Sequence, residues 1–193
     1  MNKFFAFSET THNEFPLLKL AKEVPNKESN ISVLDQPLAK EINSEKNKGF
    51  PIEGNNGKWS GEPGNSDWIP DDNYVPIGQH TNPEGKTWGE LKKEYGFEKI
   101  PFKDGEPDFS EVSKATVEID NFTDKRTGKG GNFDQADQKL MEQTGVTKEE
   151  LADFKKGYTW HEKNDCKTLE LVPTAIHGNI SHSGGVSEYK NNN

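Results

Sequence analysis

His161, His177 and His182 are three of the five histidines in this 193-residue chain, and Glu162 directly follows the first. Neutral imidazoles are good ligands for divalent transition metals, and a carboxylate adds charge and a hard oxygen donor. The four residues, with Asp165 nearby, suffice for a catalytic centre that keeps open positions for water and a phosphate group. The plain alternative is that these are ordinary core or surface histidines. A structural zinc site is a poor fit, because the single cysteine, Cys166, supplies too few thiolates. A lone thiol also makes nucleophilic cysteine chemistry a weak reading.

The elements that must position these residues can be read locally. Gly157 releases the chain into YTWHE, a run of β-formers. KNDCK reads as a polar turn in which Asp165 bonds its local backbone. TLELVP alternates Leu169 and Leu171 against Glu170, which predicts a solvated Glu170; Glu188 is read the same way. TAIHG has room for about one helical turn before Gly178. A strand, hairpin turn, strand and short helix bring His161 beside His177, sixteen positions on in the sequence. His177 and His182, five apart, do not share one face of a continuous helix. The break at Gly178 lets His182 swing back. Trp160 is assigned to packing and Cys166 to the turn.

Upstream, Thr87 and Glu90 form a capping box, Trp88, Leu91 and Tyr95 share a helix face, and Gly96 ends it. KATVEID has the alternation of a half-buried strand. Phe133, Ala136, Leu140 and Met141 mark a helix ending near Gly145. Thr147 and Glu150 cap another that stops at Gly157. Residues 54–85, dense in Gly, Pro, Asn and Asp but carrying Trp59 and Trp68, predict an ordered, irregular wrap that pins aromatics onto a core. His80 reads as a loop residue, and RTGKGG, which lacks Walker spacing, as a flexible loop. Residues 1–53 form a polar segment, an adaptor or linker, that includes His12.

Only 29% of residues are hydrophobic and mean hydropathy is −1.01, so either a disordered part or a loop-rich fold is expected. The net charge of −9 opposes broad attraction to phosphate backbones, and Arg126 is the only arginine, so sequence-specific readout of nucleic acid is a poor reading. Lys163 and Lys167 in the hairpin turn are candidates to guide a phosphate backbone. No apolar run suits a signal peptide or a membrane span.

The stretch YTWHE…TLELVPTAIHGNISHSGGVSE resembles the HNH/endonuclease VII superfamily, specifically nucleases with a conserved WHE motif that are related to the WHH group and occur as polymorphic toxin modules. GEPGNSDWIPDDNYVP, TNPEGKTW and IPFKDGEPDFSEVSKATVEID resemble the region before that motif, so the likeness spans about residues 54–190. The resemblance implies an α+β, loop-rich domain over residues 54–193, with a treble-clef-like ββα-metal core of the HNH type at about residues 157–185. It implies a metal-dependent endonuclease that hydrolyses DNA non-specifically with one divalent ion (Zn, Ni, Mg or Mn), acting as an antibacterial toxin effector. A cognate immunity protein is the implied partner. Delivery to a target cytoplasm would use export machinery without a classical signal peptide; otherwise the chain would stay cytoplasmic. The alternatives are an RNase toxin and an inactive binding module on the same scaffold.

In the implied plan, His161 and Glu162 are the catalytic dyad and His177 and His182 are metal ligands. The WHH relatives have His where this chain has Glu162. Either Glu162 is the base, or His161 is the base and Glu162 a ligand or an orienting group. The ordinary imidazole pKa favours His161 as base.

Overall fold

A computed structural model describes residues 49–78 and 80–192, so the reading of residues 1–48, with His12, falls outside the described residues. The segment 54–85 holds aromatics on a core, but it is not wholly irregular. β1 (Gly57–Trp59) and β2 (Asp67–Pro70) pair antiparallel, with Trp59 opposite Trp68. Gly57 sits at φ +151, and a Cβ there would lie 2.6 Å from the Ile69 carbonyl oxygen, so only glycine permits this approach. β2 continues into β3 (Ile100–Lys103) and β4 (Glu106–Pro107), giving a four-stranded sheet in the order β1-β2-β3-β4.

Both capping boxes form. Thr87 starts α1 (Trp88–Tyr95) and Thr147 starts α3 (Lys148–Phe154); each hydroxyl accepts from the glutamate amide three residues on. Each glutamate carboxylate in turn accepts from the threonine amide at 2.8 Å. α2 (Asn132–Thr144) lies between them and buries Ala136 and Leu140.

The C-terminal half is organised around one strand. β7 (Thr168–Pro173) pairs with β5 (Thr116–Glu118) on one side and with β6 (Tyr158–Glu162) on the other. Alternation sends Leu169 and Leu171 into a cluster with Val117, Ala136, Leu140 and Trp160. Val172 faces the opposite way, into the aromatic cluster of Trp59, Trp68, Trp88 and Phe109. β7 is therefore buried on both faces, and Glu170 is only 3% exposed rather than solvated. The expectation of a solvated Glu170 fails because the face of β7 that carries it and Val172 is covered by the aromatic cluster that includes Phe109.

After Pro173 the chain makes one turn, α4 (Thr174–His177), anchored by Ile176, which is fully buried beside Val172 and Ile180. α5 (Gly185–Asn191) closes the described chain. The fold is thus a mixed α and β arrangement on two small sheets, with a strand–strand–helix unit at its C-terminal end. No helix among the described residues is long and apolar enough to cross a membrane.

Leu171, fully buried in the central strand, should be costly to truncate. Leu171→Ala is expected to lower unfolding free energy by about 2–5 kcal/mol in urea titrations. Ile77→Ser, at an exposed position, should change it by less than about 0.5 kcal/mol.

Candidate functional site

β6 presents consecutive residues to opposite faces, so His161 and Glu162 diverge at the backbone. His161 joins His177 from α4 and His182 from the segment beyond it. The three rings stand edge to face, with centroids 4.7–5.3 Å apart. One nitrogen from each lies within 4.8 Å of the other two. His161 Nδ1 is 3.3 Å from His177 Nε2. His182 Nδ1 is 2.8 Å from the Ile180 carbonyl oxygen, so it donates there and leaves its Nε2 with a lone pair.

The return of His182 is built in. Gly185 lies so close to the Lys163 carbonyl that no Cβ would fit, which ties the chain after His182 to the end of β6. Phe109, fully buried, sets its ring centroid 4.9–5.9 Å from those of all three imidazoles, edge to face with His161 and His182 and tilted against His177.

Burial, with smaller contributions from His182 and His177, pushes the His161 pKa down to about 2. Burial likewise takes His177 to about 3 and lowers His182. All three are neutral near pH 7, the form that gives a lone pair to a metal. Three nitrogen donors within 4.8 Å of one another form a group able to hold a metal ion.

Glu162 reaches the same cleft from the other side and is 3% exposed. Its Oε2 accepts from Arg126 Nε at 2.8 Å and its Oε1 from Asn132 Nδ2 at 2.8 Å. Arg126, Phe133, His161, Glu162, His177 and His182 line a cleft of about 330 Å³. A larger groove, about 890 Å³, opens beside Ile52 and Ile77 but has no histidine, cysteine or carboxylate in its lining.

Sequence reasoning missed Arg126, Asn132 and Phe109. RTGKGG is not an open loop: Asn132 N donates to the Lys125 carbonyl, Phe133 N to that of Arg126, and Gly131 N to that of Gly128. Asn132, fully buried, also grips Thr123 through both ends of its amide. This network delivers the one arginine to Glu162. Its uniqueness in the chain was the only signal available beforehand.

The turn lysines are otherwise engaged. Lys167 pairs with Glu118, and Lys163 Nζ lies 3.8 Å from Glu170 Oε1. Asp165 accepts from the Lys167 and Thr168 amides, as turn chemistry requires. Cys166 stays a thiol, its pKa raised chiefly by burial. Trp160 is buried and donates its indole N–H to Asp137 at 2.7 Å. His80 is exposed in a turn, remote from the cluster in sequence and absent from the cleft lining.

Residues 99–184 match the family model of the DNase/tRNase domain of colicin-like bacteriocin. The matched segment is just under half of the chain and contains Arg126, Glu162 and the three clustered histidines. No curated protein matches the chain. The match supports a nuclease domain of the bacteriocin type.

Imidazole pKa values below the ordinary 6.5 mean that the unfolded chain binds more protons at these sites. The metal-free protein should therefore hold this stability above about pH 6.5 and lose it as pH falls below. Urea midpoints in EDTA are expected to drop between about pH 7.5 and about pH 5.5, less steeply in His161→Phe. Identical slopes in the two proteins would contradict the burial of neutral imidazoles.

Proposed function

We propose that this chain is an HNH-type, metal-dependent endonuclease that hydrolyses DNA phosphodiester bonds without sequence preference and serves as an antibacterial toxin effector. The observation that carries the reading is one cleft in which three neutral imidazoles face an Arg–Glu ion pair, inside the segment matched by the colicin-type nuclease model. In this reading residues 54–193 are the nuclease domain, with a ββα-metal core at about residues 157–185, and residues 1–53 are an adaptor or linker.

The donor set fits a divalent ion. Three nitrogens converge, and imidazole favours Zn²⁺ or Ni²⁺ over the oxygen-seeking Mg²⁺. His161, His177 and His182 would hold it. Once bound, such an ion polarises a phosphoryl oxygen and neutralises charge on the leaving oxygen.

The remaining work falls to the chain's own groups. Glu162, adjacent to His161 but outside the cluster, takes a proton from the attacking water through a lone pair not used by Arg126 or Asn132. His161 is a poor candidate for that step: its Nδ1 is turned to His177, and a pKa near 2 makes it too weak a base near neutrality. Arg126 commits Nε to Glu162, so its terminal nitrogens are left to pair with a phosphate oxygen at the cleft mouth. Its side chain is half-exposed, as a substrate contact requires. Contacts of this kind grip the backbone and carry no base information, which agrees with a single arginine and a net charge of −9.

As a toxin, the chain would act in a target-cell cytoplasm after export and would be neutralised at home by a cognate immunity protein. RNA is the second substrate reading, because the matched model spans both DNase and tRNase domains.

Purified protein incubated with plasmid and Zn²⁺, Ni²⁺, Mn²⁺ or Mg²⁺ is expected to nick it, and EDTA or His161→Ala to abolish nicking. Glu162→Gln should lower the rate about 10²–10⁴-fold with metal binding retained. Absence of cleavage with every metal, or equal cleavage in EDTA, would favour the inactive binding module. Cleavage of single-stranded RNA alone would reassign the substrate.

A further inference from the structure

Among the described residues, two buried side-chain polar atoms lack a hydrogen-bond partner: His161 Nε2 and Glu170 Oε2. Buried orphans are rare in folded proteins and ask for a cause. These two belong to residues that stand directly opposite each other in the β6–β7 ladder. Side chains at such positions share one face of the sheet, with Cβ atoms about 4.5–5.5 Å apart.

The other polar atoms of the pair are already committed. His161 Nδ1 faces His177 Nε2 at 3.3 Å, and Glu170 Oε1 faces Lys163 Nζ at 3.8 Å. A neutral imidazole carries one proton. If the Nδ1 lone pair turns toward the histidine cluster, the proton sits on Nε2 and needs an acceptor. Above its pKa, which burial raises to about 7, Glu170 is a carboxylate whose Oε2 is an acceptor without a donor. His182 follows the same plan with a backbone carbonyl, its Nδ1–H donating to Ile180.

We propose that Glu170 is a positioning residue: its Oε2 accepts the Nε2 proton of His161 through one bridging water, and so fixes the tautomer whose Nδ1 lone pair points at the metal site. The proposal rests on the reading of His161 as a ligand. Carboxylates that hold a ligating histidine in this way orient the ring and raise its basicity, and their loss typically weakens metal binding 10–100-fold. Glu170 makes no contact with substrate in this scheme. Lys163, facing the other carboxylate oxygen, keeps the group from turning away.

The test uses the full chain, with Co²⁺ as the probe. Long-range ¹H–¹⁵N imidazole spectra of the metal-free protein should show the His161 proton on Nε2. Glu170→Leu should weaken Co²⁺ binding about 10–100-fold and shift His161 toward a mixture of tautomers. Glu170→Gln, whose amide oxygen still accepts, should keep the tautomer and stay within a few-fold of wild-type affinity. A proton on Nδ1 in the wild-type chain, or wild-type affinity in Glu170→Leu, would overturn the proposal. If Glu170→Leu does not fold, the wild-type tautomer and the Gln variant decide. A wild-type chain that binds no Co²⁺ would overturn the metal reading, whereas the tautomer of the metal-free protein bears on Glu170 alone.

Discussion

The double-sided burial of β7 is the constraint from which the rest of the C-terminal half follows. Its odd-numbered leucines, Leu169 and Leu171, complete the cluster built on α2, α3 and Trp160, and Val172 completes the aromatic cluster of the other sheet. A strand so placed has no freedom of register, because a shift of one residue would exchange Glu170 and Val172 for the leucines on both faces. Fixed register fixes its partners. It sets His161 opposite Glu170 and ends the strand at Pro173, where the turn anchored by Ile176 begins. The position of His177 is thus a result of apolar packing several residues away.

The site is held from two sides that differ in chemistry. On the histidine side the wall is aromatic. Phe109 packs against all three imidazoles, and burial lowers their pKa values and so favours the neutral form. On the glutamate side the wall is polar. Asn132 and Arg126 each donate one hydrogen bond to Glu162, and both come from the chain segment that opens α2. Adjacent residues on one strand therefore meet opposite environments. In the proposed function this division separates the ligand His161 from the base Glu162.

Much of this was legible in the sequence. The threonine–glutamate boxes at α1 and α3, the strand around Val117, and the strand–turn–strand–helix from Tyr158 to His177 all follow from local signals, and these agree with their tertiary setting. The convergence of His161, His177 and His182 was also legible, since the hairpin sets His161 beside His177 and the break at Gly178 marks where the chain can turn. What escaped was non-local. Glu170 reads as solvated from alternation alone, because nothing in TLELVP reveals that its face of the sheet will be buried or that Lys163 will lie beside it. The Arg126–Glu162 pair spans thirty-six positions and depends on a loop whose order comes from Asn132 rather than from its own composition. The β1–β2 pairing was hidden by glycine and proline content, although Trp59 and Trp68 pointed to burial.

Histidine-held metal chemistry in the cleft of Arg126 and Glu162 is the central claim, and metal occupancy measured against activity tests it most directly. Metal-free protein would be titrated with Ni²⁺ or Zn²⁺ while bound ion and plasmid cleavage are followed in the same samples. The account predicts that cleavage rises with occupancy and saturates at one ion per chain, and that the His177→Ala, His182→Ala double variant neither binds the ion nor cleaves. Full cleavage by metal-free protein, or undiminished cleavage by the double variant, would contradict it.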